Sequence, residues 1–118
     1  MRGGRHRDFV AYRQAAALAD RIHANVVTWP KFELWTTGIQ LARAADSIGA
    51  NIAEGLGRGS RADQRRFLLI ARGSLYETEH WLERAAVRQL VSPAEDFGQA
   101  TSELGKVLSG LISTATGG

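Results

Sequence analysis

The sequence predicts an all-α fold, an antiparallel up-down-up-down bundle of four helices. Three observations carry that expectation. Apolar residues recur every three or four positions in four separate segments, the spacing of one helix face. No run alternates with the period of two that a half-buried strand requires. The stretches between segments are short, so successive helices cover one another's apolar faces by turning back.

The first segment covers residues 8–28, with Ala11, Ala15, Leu18, Ile22, Val26 and Trp29 as its inner stripe. The Trp29-Pro30 step closes it, because the residue before proline is pushed out of the helical region. The second covers 33–56, with Leu34, Leu41, Ala45, Ile48, Ile52 and Leu56 one above another, and Gly55, Gly57 and Gly59 end it by adopting positive φ at little cost. The third and longest covers 61–90. Its start follows Ser60, whose hydroxyl caps the free amides while Asp63 completes a capping-box-like pair, and its stripe is Phe67, Ile70, Ser74, Trp81 and Ala85. The fourth, 93–115, opens on SPAE (92–95), a cap, a proline in the first turn and an acid at the third position. It continues through Phe97, Thr101, Leu104, Leu108, Leu111 and Ala115. Residues 8–116 therefore form one bundle domain behind a flexible basic N-terminus at 1–7, and the head MRGGR and tail TATGG are expected to fray.

A chain of 118 residues suffices for one modest core, and 44% hydrophobic against 23% charged residues is a globular balance. The absence of cysteine excludes disulfides, thiolate nucleophiles and zinc–thiolate sites. No apolar run approaches the roughly 20 residues of a bilayer span, and MRGGRHRD lacks the apolar segment of a signal peptide. A cytoplasmic protein without a membrane partner is expected.

Charge is distributed unevenly. Thirteen of the 15 cationic residues are arginine, which forks around phosphates and carboxylates as lysine does not. Arg2, Arg5 and Arg7 open the chain without an acid, and Arg58, Arg61, Arg65, Arg66 and Arg72 face only Asp63 nearby, whereas residues 77–106 hold six acids against three bases. One end of the molecule is thus basic and the other acidic. The arginines of 58–72 are the candidate polyanion-binding residues, with Arg61, Arg65 and Arg66 expected to contact phosphates as charge partners rather than base readers.

The glycine-rich stretch GLGRG (55–59) superficially resembles a phosphate cradle, but such loops follow a strand and carry a lysine, and this one follows a helix. Two readings stay open: a helix stop followed by a cap, or anion capture at the free amides of the third helix. A second stripe on the second segment, Gln40, Arg43, Ser47, Asn51, Glu54 and Arg58, shares one face. Ser and Asn are poor choices for an exposed helix interior, which suggests partial burial. Arg72, Gly73, Ser74 and Glu77 offer matching small or polar groups, so a polar network between the second and third helices is expected, with Glu54 paired to Arg43 or Arg58.

These residues also carry a resemblance. The runs QLARAADSIGANIAEG (40–55), Gly57-Arg58 and FLLIARGSLYE (67–77), with DFVAYRQA (8–15) and PKFE (30–33), closely resemble the four-helix bundle proteins encoded within 23S ribosomal RNA intervening sequences. That family includes the accessory variability determinant of diversity-generating retroelements. The resemblance spans about residues 8–112. It implies a ring-like homo-oligomer, a pentamer, without enzymatic activity, and in the retroelement branch a basic surface that works with nucleic acid and a reverse transcriptase. The family-motif positions here are Gln40, Arg43, Ser47, Asn51, Glu54, Gly55, Gly73, Ser74 and Glu77. Two positions depart from the pattern: Thr37 stands where leucine is usual, and Trp35 where tyrosine is common.

Enzyme chemistry finds little to build on. His6, His23 and His80 lie in different segments, and Glu77 with His80 is a single Glu-x-x-His pair where a di-metal bundle needs two and further carboxylates. No catalytic residue, metal or cofactor is expected. Trp29, Trp35 and Trp81 fall at helical spacing on apolar faces and are read as core rather than base-stacking residues.

Overall fold

In the computed structural model, the backbone is described for residues 3–95 and 97–116 and the side chains for 9–95 and 97–115. Expectations for residues 1, 2, 117 and 118 lie outside the described residues. Helix α1 spans Gly3–Val26, α2 Lys31–Glu33, a π-helical turn Leu34–Gly38, α3 Ile39–Leu56, α4 Arg61–Val87 and α5 Phe97–Thr116. Helix α2, the π turn and α3 continue into one another, so the chain makes four rods, as the periodicity predicts.

Around the bundle the order is α1, α3, α4, α5 and back to α1. Every neighbouring contact has antiparallel register: Gly38 meets Val26 and Gly49 meets Ala15, Gly55 meets Phe67, and Gly105 meets Leu75. The body measures 46 × 23 × 19 Å, with the long axis set by α4, whose 27 residues rise about 40 Å.

The inner stripe of α1 is buried at all six expected positions, and Leu41, Ala45, Ile48 and Ile52 fill the centre from α3. Leu34 and Leu56 are only half-buried at its ends. On α5, Phe97, Thr101, Leu104, Leu108 and Leu111 are buried, joined by Ile112, while Ala115 is half-buried. The stripe of α4 is rotated from the expected one. Leu68, Ala71, Leu75, Thr78 and Ala85 point inward, Phe67, Ser74 and Trp81 are half-buried on the side facing α3, and Ile70 is exposed. Buried threonines satisfy their hydroxyls locally, Thr78 Oγ1 donating to the Ser74 carbonyl at 2.8 Å and Thr101 Oγ1 to that of Gly98 at 3.1 Å.

Element ends differ from expectation for identifiable reasons. Helix α1 begins at Gly3, within the stretch expected to be flexible. It ends at Val26, where the amides of Thr28 and Trp29 turn back to the carbonyls of Asn25 and Val26 at 3.1 and 3.0 Å. Pro30 instead opens the next rod, its carbonyl accepting the Leu34 amide at 2.8 Å. Helix α4 stops at Val87. There Gln89 takes φ 60°, and the amides of Gln89 and Leu90 reach the carbonyls of Ala86 and Ala85 at 3.0 and 2.8 Å, a Schellman closure with a non-glycine in the left-handed position. The SPAE signal does not start α5. Ser92 Oγ accepts the Ala94 amide at 3.2 Å and its carbonyl the Glu95 amide at 2.9 Å, making a turn, and the Glu95 carboxylate pairs with Arg21 of α1 at 3.1 Å.

In the π turn, the Ile39 amide donates to the Leu34 carbonyl five residues back. One extra residue per turn rotates the side chains before it by about 100° relative to the repeat of α3. Gly38 closes this turn against α1: a Cβ there would lie 2.8 Å from Val26 Cγ1 and 3.2 Å from the Glu33 carbonyl oxygen.

Candidate nucleic-acid interface

The α3–α4 connection gathers the arginines. Helix α3 ends with the Gly57 and Arg58 amides on the carbonyls of Glu54 and Gly55 at 3.2 and 3.1 Å, and Gln64 Nε2 donates to the Arg58 carbonyl at 3.0 Å. The expectation of positive φ at Gly55, Gly57 and Gly59 is overturned, since no described glycine has it and Gly57 sits at φ −84°. What demands glycine is proximity. A Cβ on Gly55 would meet Phe67 Cβ at 3.2 Å, whereas at Gly59 it would meet nothing within 4 Å. Ser60 caps α4 as expected, its Oγ accepting the Asp63 amide at 3.1 Å.

Asp63 spends its carboxylate on arginines rather than on closing a capping box. It accepts from Arg66 Nε at 3.2 Å and lies 3.9 Å from Arg58, which also donates to Glu54 at 3.0 Å. The guanidinium carbons of Arg58 and Arg66 lie 4.7 and 4.5 Å from the centroid of the Phe67 ring. These two arginines therefore carry internal counter-ions, Asp63 for both and Glu54 for Arg58, the second of the two partners expected for Glu54. Arg61, Arg65 and Arg72, spaced four and seven apart, occupy a different side of α4. Arg72 marks it as the side facing α5 by donating to Ser109 Oγ at 3.4 Å. The candidate arginines thus flank one end of the bundle on two faces. The same end holds the start of α1, whose first turns bear Arg5 and Arg7 in the sequence.

The expected polar network is present only at its centre. Ser47 Oγ and Ser74 Oγ share a hydrogen bond of 2.9 Å between α3 and α4, and Asn51 Nδ2 donates to the Ser47 carbonyl and Oγ at 2.8 and 3.0 Å. Glu54 pairs with Arg58, not Arg43, on the surface. Gln40 and Arg43 are exposed, Gly73 has open space where a Cβ would sit, and Glu77 accepts the indole N–H of its own helix neighbour Trp81 at 3.1 Å.

A second feature lies at the opposite end, where Trp35, expected in the core, is exposed. Phe32 and Trp35, just before and within the π turn, are 75% and 63% exposed, and with Trp81, Gln40, Thr37 and Arg88 they line a groove of about 890 Å³. Trp29 alone of the three tryptophans is buried. Thr37, itself buried, accepts from Arg88 Nη1 at 2.7 Å and holds that guanidinium at the groove wall. Among the described residues no three His, Asp or Glu side chains converge on a metal position, and no helix is long and apolar enough to cross a membrane.

Fold and site together define a small four-helix bundle with an arginine-rich end and an exposed aromatic groove. The chain belongs to the 23S rRNA-intervening sequence protein family, whose family model matches residues 7–112. It is similar to a protein of unknown function from the S23 ribosomal protein family of Bacteroides thetaiotaomicron, whose crystal structure superposes with a TM-score of 0.81 at 29% identity, over 91% of this chain and 98% of that one. A comparison with curated proteins returned no match.

Proposed function

We propose that this protein is a non-enzymatic oligomeric adaptor that binds RNA or DNA through the arginine-rich end of its bundle and protein through the aromatic groove at the other. The observation that supports nucleic-acid binding is the gathering of Arg58, Arg61, Arg65 and Arg66 at one end of the bundle. Arginines on two faces of an end suit a charged backbone, which fixes register without reading sequence. A homo-oligomer, a pentameric ring by the family resemblance, multiplies that end and raises avidity without any new contact. A reverse transcriptase is the protein partner to test first, on the retroelement branch of the family.

Binding of the full chain to labelled RNA and DNA across a salt series tests this reading. The affinity is expected to fall linearly with salt on logarithmic axes, and replacing Arg61, Arg65 and Arg66 together by alanine is expected to flatten the slope by about two to three units. An unchanged slope removes these residues from the interface.

A second reading, a protein-only assembly module, is favoured by the exposure of Phe32 and Trp35, since large aromatics beside an arginine are the usual anchors of protein interfaces. A folded oligomer that binds neither nucleic acid at low salt selects it.

A further inference from the structure

We propose that Phe9 and Tyr12 are a stacking platform for unpaired bases, so that the nucleic acid taken up at the basic end is single-stranded. This rests on the nucleic-acid reading above and adds the class of strand. Both side chains project from α1 one helical turn apart, and both are exposed, at 46% and 39%. Tyr12 is held rather than loose. Its ring carbons Cε1 and Cδ1 lie 3.8 and 4.0 Å from the position of a Cβ on Gly49, so the absence of a side chain there seats the ring on α3. Around it Ala16, Ala50 and Ala53 line a shallow groove of about 330 Å³ between α1 and α3. Among the described residues of this groove, the alanines add no long side chain beside the ring, which leaves a planar base room to approach.

Charge selects the occupant. Tyr12 stands opposite Gly49, nine residues before Arg58, or about 13 Å along the axis, and Phe9 lies one turn nearer that arginine end. Asp20 and Asp46 lie toward the other end of the groove, where Asp46 pairs with His23 at 2.9 Å. A strand whose bases stack on Phe9 and Tyr12 and that extends toward that end runs its phosphates toward Arg58 and away from Asp20 and Asp46. Aromatic faces beside a cationic track are how proteins take single strands without reading sequence. A duplex keeps its bases stacked on one another and gains nothing from these rings.

The test is fluorescence anisotropy of the full chain with a labelled single strand, the duplex of that strand, and an abasic strand with the same number of phosphates. The single strand is expected to bind at least about tenfold more tightly than the other two. The F9L,Y12L double variant is expected to bring the single strand down to the abasic level with its salt slope unchanged, while F9W,Y12F retains the preference. Equal affinity for abasic and base-bearing strands overturns the platform and leaves the polyanion reading standing. That comparison uses the unsubstituted protein, so it decides even where a variant fails to fold. Loss of oligomerisation in F9L,Y12L with unchanged single-strand affinity also overturns it, by assigning the face to protein contact. No binding to any of the three at low salt overturns both readings.

Discussion

At the scale of single residues, two positions carry most of what can be tested. Gln89 takes φ 60°, a conformation that costs an L side chain roughly 1 kcal/mol and glycine almost nothing. Gln89→Gly keeps the closure of α4 and is expected to stabilise the protein by about 0.5–1 kcal/mol, or roughly 4 °C in thermal unfolding. Asp63 has a different weight. Its amide caps on Ser60, but its carboxylate serves only as counter-ion to Arg66 and Arg58. Asp63→Asn retains the backbone cap and releases the Arg66 guanidinium toward phosphate, while Arg58 keeps Glu54, so RNA or DNA affinity at low salt is expected to rise severalfold with little change in stability. The Ser60 cap was legible in sequence because Ser before an apolar-periodic run, with an acid three residues on, has one local use. The left-handed Gln89 was not legible, because glycine is the usual signal for that position and here glutamine tolerates the strain.

At the scale of the element, α4 shows why periodicity finds a helix more easily than its register. Two adjacent faces of this helix carry apolar residues, one through Leu68, Ala71 and Leu75 and one through Phe67, Ile70 and Trp81. Either satisfies a spacing of three and four, and only the packing of α3 and α5 on both sides decides which points inward. The decision is measurable. Leu75→Ala is expected to cost about 2–5 kcal/mol in denaturant unfolding, and Ile70→Ala less than about 1 kcal/mol. The π turn was hidden for a related reason, since a fixed repeat of 3.6 residues cannot register a single inserted residue. Counted back from Leu41 with the repeat of α3, Leu34 returns to the inner face, where the π turn leaves it only half-buried, while Trp35 falls about 120° away and Phe32 opposite, so the repeat itself already places that pair outside the core. The start of α5 misled because cap, proline and acid describe a turn as well as a first helical turn, and the Glu95 carboxylate was claimed by Arg21 of another helix.

At the scale of the whole molecule, the alternation of charge along the sequence becomes a polarity of the rod. Up-down connectivity returns the chain to the same end at the start of α1, between α3 and α4, and at the close of α5, so separate arginine runs converge without contact in sequence. The aromatic groove falls at the opposite end because Phe32, Trp35 and Arg88 flank the other turns. Replacing Phe32 and Trp35 by serine is expected to leave thermal unfolding nearly unchanged, since both are exposed, and to lower the assembled mass in sedimentation. An unchanged mass reserves the groove for a different protein. The elongation of the bundle, 46 Å along its axis, then acquires a mechanical meaning. Four helices packed side by side do not bend, so whatever is gripped at one end and whatever is gripped at the other are held apart at a set interval, about the length of 14 base pairs of duplex. Under the proposed function the protein is in that sense a strut, joining a nucleic acid and a protein while keeping them from touching.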